Sequence, residues 1–348
     1  MSYHFGIIGL GMIAEMHAQA ISALDNGVLA ACFDVNDERT ARFRDQFGGS
    51  PYTSLDAFLA HPDLDIVTIC TPSSLHLESA LKAAQAGKHL IVEKPLEITI
   101  ERCDQIIQAA TANNVMLAGI FPSRFYEPAL LVKKAIERER FGRIVLADAY
   151  VKWHRDQAYY DSSDWKGTWA YDGGGALMNQ SIHAIDLLQW FMGPVSKIWS
   201  FSGTLSHERI EVEDTAVASL QFENGALGVI EGTTGAFPGF PKKIEISGSQ
   251  GSVVLEEGNL TAWNFAKETP EDEAIRAAFI NRAKSAGGAS DPAAIGFLGH
   301  QLQFADMLEA LDQNRRPLVD GQEARKAVEI IQAIYESART GRPVNLPL

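Results

Sequence analysis

Short apolar runs that alternate with amphipathic stretches constrain the fold of this chain more than any other feature. In the first 120 residues the apolar runs are residues 5–8, 28–33, 66–70, 89–92 and 115–118. The stretches between them, such as 74–86 and 100–112, have the spacing of amphipathic helices. Parallel strands need a crossover helix, and strands buried on both faces are apolar without alternation. The pattern therefore predicts βαβ units on a parallel sheet.

The loop after the first run carries a dinucleotide-binding pattern, Gly-x-Gly-x-x-Ala, over residues 9–14. Gly9 permits the tight turn, and Gly11 lets the backbone approach a pyrophosphate. Met12 and Ile13 begin the next helix, whose N-terminal N–H groups and dipole attract phosphate. Because the pattern follows a strand and opens a helix, we interpret these residues as cofactor ligands.

Asp34 ends the second apolar run, 25 residues after Gly9. A carboxylate at this point accepts hydrogen bonds from both hydroxyls of the adenosine ribose and repels a 2′-phosphate. Asp34 therefore predicts NAD as the cofactor, with NADP less favoured. Arg39 is close in sequence, but it falls in a predicted helix, where we expect its side chain to be solvated.

Two further strand ends carry polar groups at the edge where open parallel sheets bind ligands. The residues that we interpret as cofactor-site residues there are Thr71, Pro72, Ser73, His76, Glu93 and Lys94. From its position alone, Lys94 is either a solvated loop end or a catalytic ammonium beside the nicotinamide. Because the strand end must turn sharply to present this lysine, the Lys94–Pro95 peptide bond is predicted to be cis.

Five segments together match one known family. They are residues 9–14, 71–76, 93–95, 173–183 and 335–344. On these motifs the chain resembles, over almost its whole length, the Gfo/Idh/MocA oxidoreductases, named for glucose–fructose oxidoreductase and inositol dehydrogenase. The resemblance implies an α/β Rossmann domain at 1–121. It implies a C-terminal α+β domain at 122–348 with a large, mostly antiparallel open sheet, used for substrate binding and for assembly of a homodimer or homotetramer.

The patterns of the second half agree with that organisation. Residues 197–263 show period-two alternation with Gly and Asn-Gly turns, as antiparallel hairpins do. Residues 267–299 are rich in Ala and charge and are predicted to form a helical or mobile insertion. Two helices, at 300–313 and 322–339, are predicted to close the chain.

The helix predicted after the glycines of 173–175 has one narrow polar stripe. At 100° per residue, its polar members fall within about 60° of one another. They are Asn179, His183, Asp186 and Trp190. Taken alone, the stripe favours an internally satisfied core network over a catalytic site. The family resemblance reverses that preference for Asn179 and His183, whereas Asp186 is predicted to be structural.

Asn179 departs from the commonest family pattern, which has an aspartate at this position. An asparagine cannot supply the charge that would stabilise a histidine cation. We therefore interpret Asn179 as a partner for a substrate hydroxyl, and Lys94 and His183 as the acid/base candidates. In this respect the chain is similar to family members that oxidise C3 of UDP-N-acetylglucosaminuronate, and sugar dehydrogenases of catabolism also come close.

The segment 153–169 combines aromatic rings with polar tips, a composition that suits a carbohydrate surface. Tyr159 and Trp165 are predicted to cover the C–H faces of a sugar. Arg155 is a candidate partner for a substrate carboxylate. A stacked surface loop is the alternative interpretation of the same segment.

The first functional hypothesis is an NAD(P)-dependent dehydrogenase of a sugar, inositol or related polyol. In it, a hydride passes to the nicotinamide while Lys94 or His183 takes the hydroxyl proton. A nucleotide-sugar dehydrogenase similar to a UDP-N-acetylglucosaminuronate 3-dehydrogenase is the alternative. An NAD-dependent glycosidase, which would release an aglycone without net NADH, is less favoured. A non-catalytic cofactor-sensing protein is disfavoured because Lys94 and His183 are both present.

Charge and composition exclude other classes of function. The 348 residues contain 30 Lys and Arg against 44 Asp and Glu, a net charge of −14. Such a balance argues against nucleic-acid binding and against docking on an anionic membrane. No apolar run approaches the roughly 18 residues of a spanning helix, and no secretory signal is visible. Three cysteines without paired spacing favour a cytoplasmic location, and no metal site is predicted.

Overall fold

The computed structural model describes residues 2–280 and 296–348. The chain divides into two compact units, the first of Met1–Pro122 with Gly296–Val328 and the second of Ser123–Ile295 with Glu329–Leu348. The division predicted from the sequence, 1–121 and 122–348, differs from this at the segment Gly296–Val328. That segment has partners far away in sequence, which local patterning does not reveal.

The strands form two sheets. They are β1 (Tyr3–Ile8), β2 (Gly27–Phe33), β3 (Ser50–Tyr52), β4 (Ile66–Ile69), β5 (His89–Val92), β6 (Leu117–Gly119), β7 (Ile144–Lys152), β8 (Val195–Gly203), β9 (Thr215–Phe222), β10 (Leu227–Thr233), β11 (Lys243–Gly248), β12 (Gly251–Glu256), β13 (Asn259–Phe265) and β14 (Val344–Asn345). The first unit holds a parallel sheet of order β3-β2-β1-β4-β5-β6. The second holds a sheet of order β13-β12-β11-β7-β10-β9-β8-β14, antiparallel except for the β7–β10 pair.

These sheets confirm the predicted fold class, a Rossmann domain and a domain with a large, mostly antiparallel sheet. The strand order of the first sheet places β1 in the middle, as in doubly wound nucleotide-binding folds. Strand β3 was not predicted, because its three residues at the sheet edge include a proline and form no apolar run.

The described residues also form α-helices. They are α1 (Met12–Ser22), α2 (Asp37–Phe47), α3 (Leu55–Leu59), α4 (His76–Gln85), α5 (Ile100–Ala112), α6 (Glu127–Glu137), α7 (Gln157–Asp161), α8 (Ile182–Met192), α9 (Pro270–Ile275), α10 (Leu298–Gln313) and α11 (Gly321–Thr340). Both predicted closing helices are confirmed as α10 and α11. Of the insertion predicted at 267–299, the first part contains α9, and residues 281–295 lie outside the described residues. None of the helices in the described ranges is long and apolar enough to cross a membrane.

Helix α10 completes the core of the first unit. The ring of Phe304 stacks on Phe5 of β1 with centroids 5.8 Å apart, and Met307 and Leu308 are buried in the same cluster. The side chain of Gln303 also accepts a hydrogen bond from the backbone N–H of Phe121 at 3.0 Å. A polar and an apolar contact thus both tie this late segment to the first unit.

The helix after the triple glycine begins with a wide turn, which corrects the predicted stripe. Residues Ala176–Ser181 form a π-helical turn, and α8 starts only at Ile182. The 100° spacing of an α-helix therefore does not extend back to Asn179, and this residue does not share one regular stripe with His183.

Asp186 is structural, as predicted. Both of its carboxylate oxygens accept hydrogen bonds from the guanidinium of Arg124, at 2.6 and 2.8 Å, and both side chains are fully buried. The guanidinium also lies 5.3 Å from the ring centre of Trp190. Of the four predicted stripe residues, Asp186 thus belongs to a buried ion pair, and Trp190 packs against that pair.

One face of the large sheet exposes apolar side chains. Trp199 and Phe201 of β8 are 54% and 74% exposed, and Val217 and Leu227 on neighbouring strands are exposed as well. Phe201 is directly opposite Val217 in the β8–β9 register. Because residues two apart on a strand share a face, these four side chains all lie on the same face of the sheet.

Candidate active site

The glycine loop leads from β1 into α1 and leaves the start of that helix open. Gly9 has φ +84°, and a Cβ atom there would lie 2.9 Å from the backbone nitrogen of Thr71, so a side chain would be strained. A Cβ atom on Gly11, the N-cap residue of α1, would meet no described atom within 4 Å. Met12 is exposed and Ile13 half-buried. These features fit a pyrophosphate bound at the helix N-terminus.

Asp34 follows β2 and is held in a fixed orientation. Its Oδ2 accepts the backbone N–H of Leu10 at 2.9 Å, and its Oδ1 accepts the backbone N–H of Asn36 at 3.0 Å. The guanidinium of Arg39 lies 3.1 Å from Oδ2 and is about half exposed. Arg39 is therefore not simply solvated, as the sequence suggested, because it pairs with the carboxylate predicted to bind the ribose.

His76 joins two loops at the carboxyl edge of the first sheet. It is fully buried, with Nε2 3.0 Å from the carbonyl oxygen of Thr71 and Nδ1 3.0 Å from that of Pro95. Burial lowers the pKa of its imidazole. Pro72 precedes a short 3₁₀ turn that starts at Ser73, and the Lys94–Pro95 bond is cis, as predicted. The structure thus places His76 against backbone carbonyls.

Glu93 and Lys94 follow β5. The Glu93 carboxylate is buried: Oε2 accepts the backbone N–H of Lys94 at 3.0 Å, and Oε1 faces Nε2 of His17 at 2.9 Å and of His300 at 3.3 Å. Burial alone would raise the pKa of Glu93, but the two histidines hold it well below its ordinary value. The side chain of Lys94 is half-buried. The sequence did not reveal His17 or His300, which belong to helices far apart in the chain.

In the second unit, Asn179 belongs to a network of polar side chains. Its Nδ2 donates to Oδ1 of Asp172 at 2.7 Å, and its Oδ1 accepts from Nε2 of Gln180 at 2.9 Å. The other oxygen of Asp172 accepts the backbone N–H of Gly167 at 3.0 Å. A buried carboxylate thus stands next to the asparagine that replaces the usual aspartate.

Gln180 extends this network to Arg155 and Tyr159. Its Oε1 accepts from Nη2 of Arg155 at 3.0 Å, and its Nε2 donates to the Tyr159 hydroxyl at 3.0 Å. Arg155 is 4% exposed, and its guanidinium lies 5.2 Å from the ring centre of Trp153 and 5.5 Å from that of Tyr159. Burial raises the pKa of Tyr159. We call the side chains of Arg155, Tyr159, Asp172, Asn179 and Gln180 the polar network.

Trp165 and the neighbouring Lys166 lie beside Tyr159. The ammonium of Lys166 is 4.3 Å from the ring centre of Tyr159 and 5.9 Å from that of Trp165. Burial lowers the pKa of Lys166. The structure therefore brings Arg155, Tyr159, Asn179 and Trp165 into one region of the second unit.

Glu213 holds the start of the π-helical turn and was missed from the sequence. Its Oε2 accepts a hydrogen bond from the backbone N–H of Gly175 at 2.9 Å, and its Oε1 accepts one from the backbone N–H of Leu177 at 2.8 Å. The backbone oxygen of Glu213 accepts a third from the N–H of Ala176 at 3.0 Å. A Cβ atom on Gly175 would lie 1.8 Å from that backbone oxygen. Burial raises the pKa of Glu213 to about 7. His183, the second residue of α8, follows on this anchored segment.

Comparison with known proteins identifies the family. The family model described as "Oxidoreductase family, NAD-binding Rossmann fold" matches residues 3–121, and the "GFO/IDH/MocA C-terminal domain" matches residues 129–254. The chain belongs to the GFO/IDH/MocA oxidoreductase family. This GFO/IDH/MocA protein is an NAD-binding oxidoreductase, which confirms the predicted family, enzyme class and cofactor.

Three GFO/IDH/MocA relatives show how widely the similarity extends. The WlbA dehydrogenase from Bordetella pertussis, solved in complex with NADH and UDP-GlcNAcA, is 35% identical with a TM-score of 0.91, covering 100% of this chain and 98% of that one. Levoglucosan dehydrogenase of Pseudarthrobacter phenanthrenivorans is 27% identical over 383 residues, 98% of this chain and 97% of that protein. Myo-inositol 2-dehydrogenase of Thermotoga maritima is 28% identical over 256 residues, 72% of this chain and 74% of that protein.

Proposed function

We propose that this protein is an NAD-dependent dehydrogenase that oxidises a secondary hydroxyl group of a sugar, cyclitol or related polyol. The observation that carries the proposal is the position of Lys94, directly after β5 of the NAD-binding unit, with its backbone fixed by the Glu93 carboxylate. The carboxyl ends of parallel strands are where such folds bind their ligands. The named substrates of the relatives, which are an inositol, an anhydrosugar and a nucleotide sugar, support the substrate class.

NAD, when bound, supplies a hydride acceptor for the carbinol carbon. Residues Gly9, Gly11 and Asp34 would hold the dinucleotide. The chain must then remove the hydroxyl proton, and Lys94 and His183 are the two residues assigned to that role. Both are half-buried, so neither is surrounded by bulk water. A general base of this kind typically contributes ~10²–10⁴-fold to the rate.

The polar network is proposed to bind the hydroxyl groups of the substrate. Amide and phenol groups such as those of Asn179, Gln180 and Tyr159 can both donate and accept hydrogen bonds. A ring such as Trp165 can cover the C–H face of a sugar. Because Asn179 is neutral and already faces Asp172 at 2.7 Å, it is assigned to substrate binding and not to proton transfer.

A second candidate is a nucleotide-sugar uronate as the specific substrate. It is favoured by the 35% identity to a dehydrogenase solved with UDP-GlcNAcA, higher than to the inositol and levoglucosan enzymes. The guanidinium of Arg155 offers the planar donor pair that suits a carboxylate. In this reading Arg155 would exchange its contact with Gln180 for the substrate carboxylate.

A single-turnover experiment tests both candidates. The protein is mixed with stoichiometric NAD⁺ and UDP-GlcNAcA, UDP-GlcNAc, levoglucosan or myo-inositol, and protein-bound NADH is followed by its absorbance. Oxidation of any of these supports the dehydrogenase. Oxidation of UDP-GlcNAcA but not of UDP-GlcNAc, with the difference reduced in Arg155→Lys, supports the uronate. Release of an aglycone from a glycoside without net NADH would instead indicate a glycosidase.

We also propose that copies of the chain assemble as a homodimer or homotetramer through the apolar face of the large sheet. Exposed apolar surfaces of this kind mark interfaces. Sedimentation should show an oligomer for the natural protein and a monomer for Phe201→Glu. Phe237→Glu, at a 79% exposed position outside the strands, should leave the oligomer intact. A natural protein that sediments as a monomer would contradict the assembly. The cytoplasmic location stays a prediction.

A further inference from the structure

A buried cluster in the first unit contacts the backbone of the candidate catalytic lysine, Lys94. It consists of His17 on α1, Glu93 after β5 and His300 on α10, which we call the His–Glu–His cluster. All three side chains are at least nine-tenths buried. Oε1 of Glu93 is 2.9 Å from Nε2 of His17 and 3.3 Å from Nε2 of His300. One carboxylate oxygen therefore contacts two imidazole rings, which belong to helices that are distant in sequence.

The hydrogen bonds define the tautomer of His17. A carboxylate oxygen is an acceptor, so Nε2 of His17 carries the proton that it donates to Glu93. Nδ1 of the same ring is then an acceptor, and it faces the thiol of Cys70 at 3.3 Å. Burial lowers the pKa of His17, which favours the neutral ring. The Cys70 thiol thus donates a hydrogen bond to His17, and His17 donates one to Glu93.

The remaining oxygen of Glu93 acts on Lys94. It accepts the backbone N–H of Lys94 at 3.0 Å. The two imidazoles fix the carboxylate from one side, and the carboxylate fixes the backbone from which the lysine side chain projects. The rings themselves are held by packing, since His17 lies 5.2 Å from His300 and 5.1 Å from Phe304, centre to centre. Rigid support of this kind decides how well a reacting group is aligned.

We propose that His17 and His300 are positioning residues for Lys94 and act on it through the Glu93 carboxylate. The inference rests on the proposed function, in which Lys94 exchanges a proton with the substrate. It assigns a role in the dehydrogenase to α10, a helix that contains no residue of the family motifs. Neither histidine is a catalytic residue in this account, because each touches Glu93 and not the reacting atoms.

The same three side chains have a composition that a divalent cation could use. Their ligand atoms lie within 4.8 Å of one another, and two histidines with one carboxylate form a known zinc ligand set. The direct contacts of 2.9 and 3.3 Å instead match hydrogen bonds from Nε2 of each ring to the Glu93 carboxylate, and these need no ion. A zinc site is therefore an outcome of the test, and the positioning role is the proposal.

The test compares two substitutions of His300. His300→Leu removes the donor, whereas His300→Gln keeps an N–H at nearly the place of Nε2. We expect kcat on the best substrate of the sugar panel to fall ~10–100-fold in His300→Leu and less than about 3-fold in His300→Gln. The KM for NAD⁺ should stay within about 2-fold in both. His4→Leu is the matched control, since His4 forms a partly buried pair with Asp65 at 3.3 Å in the same unit.

A second readout needs neither substrate nor cofactor. Hydrogen exchange of the Lys94 amide, followed by NMR, should be ~10-fold faster in His300→Leu and unchanged in His300→Gln and His4→Leu, because the amide loses a fixed acceptor. If His300→Leu does not fold, His300→Asn replaces it, since its amide is too short to reach Glu93. Equal kinetic and exchange defects in the Leu and Gln variants would overturn the proposal.

Failure of this inference and failure of the proposed function are distinguishable. If Lys94→Met retains turnover, the proposed role of Lys94 is wrong, whatever His300 does. If Lys94→Met loses turnover but His300→Leu does not, only the positioning role is wrong. In the Lys94→Met background, His300→Leu should reduce the residual rate less than about 2-fold. Activity that is lost with a chelator, restored by Zn²⁺ and absent in His300→Leu would identify a metal site instead.

Discussion

The cofactor-binding edge of the first unit and the polar network of the second are built in different ways. The first relies on backbone geometry and on residues that follow strands directly, such as Gly9 after β1 and Asp34 after β2. The second relies on side chains that find one another across longer stretches, and Glu213 meets Gly175 and Leu177 from 38 and 36 residues away. The proposed cofactor recognition therefore depends mainly on local sequence, whereas the proposed sugar recognition depends on tertiary contacts.

This contrast separates the expected effects of mutation. Changes at the cofactor edge should alter NAD binding or the chemical step without changing which sugar is preferred. Changes in the polar network should alter sugar binding and leave the affinity for NAD⁺ unchanged.

The largest effect is expected at Lys94. Lys94→Met should lower kcat by ~10²–10⁴-fold because the candidate general base is lost, while the Kd for NAD⁺ changes less than about 3-fold. Stopped-flow NADH formation and NAD⁺ titration measure the two quantities. Lys82→Met, at an exposed surface pair with Asp56, should behave like the natural protein. His183→Ala should lose as much as Lys94→Met if His183 is the base, and less if it orients the substrate.

The second effect concerns stability and the Glu213 carboxyl. Burial raises its pKa from 4.5 to about 7, so the folded state binds the proton more tightly than the unfolded chain. This contribution to stability is fully present below pH 4.5 and is lost as the pH rises through 7, up to roughly 3 kcal/mol. Urea unfolding between pH 5 and 7 should show that slope, and Glu213→Gln should remove it. Glu208→Gln, at an exposed carboxyl, should keep the slope.

A smaller change is expected for cofactor selectivity. NAD⁺ should bind more tightly than NADP⁺, because the Asp34 carboxylate, which we propose binds the ribose, would repel a 2′-phosphate. Asp34→Asn should weaken NAD⁺ binding by about 10-fold, since hydrogen bonds to a charged group are lost. It should also reduce the ratio of the affinity for NAD⁺ to that for NADP⁺. Calorimetric titration of both cofactors measures the ratio. Tighter binding of NADP⁺ to the natural protein would contradict this and direct attention to Arg39.

The smallest effect is expected at Asn179. Asn179→Ala should raise the KM for the sugar by roughly 3–10-fold with little change in kcat, because a neutral amide contributes to binding more than to proton transfer. The Kd for NAD⁺ should not change. A large loss of kcat, or a shift in the pH profile, would mean that the Asn179–Asp172 pair takes part in the chemical step. Steady-state kinetics over a range of pH distinguishes these results.

The sequence predicted the elements whose signals are local. The buried strands of the Rossmann unit, the glycine loop and the cis bond at Lys94–Pro95 each follow from residues that are adjacent in the chain. It also predicted that Asp186 is structural, because a carboxylate deep in an apolar helix must be paired.

The remainder depends on contacts that no local pattern encodes. Assuming a regular α-helix placed Asn179 on a stripe with His183, whereas Glu213 anchors a wider turn there. Asp172 belongs to none of the family motifs, and its role becomes apparent only from its hydrogen bond with Asn179. His17 and His300 meet across nearly the whole length of the chain. A single sequence carries no record of these pairings, since each residue alone is compatible with an ordinary helix or loop.

The position of α10 in the core of the first unit has a consequence for biosynthesis. The ribosome synthesises the core residues of α10, Phe304, Met307 and Leu308, only after it has added Pro122 and the whole of Ser123–Ile295. At ~5–20 residues per second, the nascent Rossmann sheet waits on the order of 10–40 s for the helix that covers it. During that interval Phe5 and its neighbours lack their final cover, and the nascent chain presents an apolar surface to chaperones.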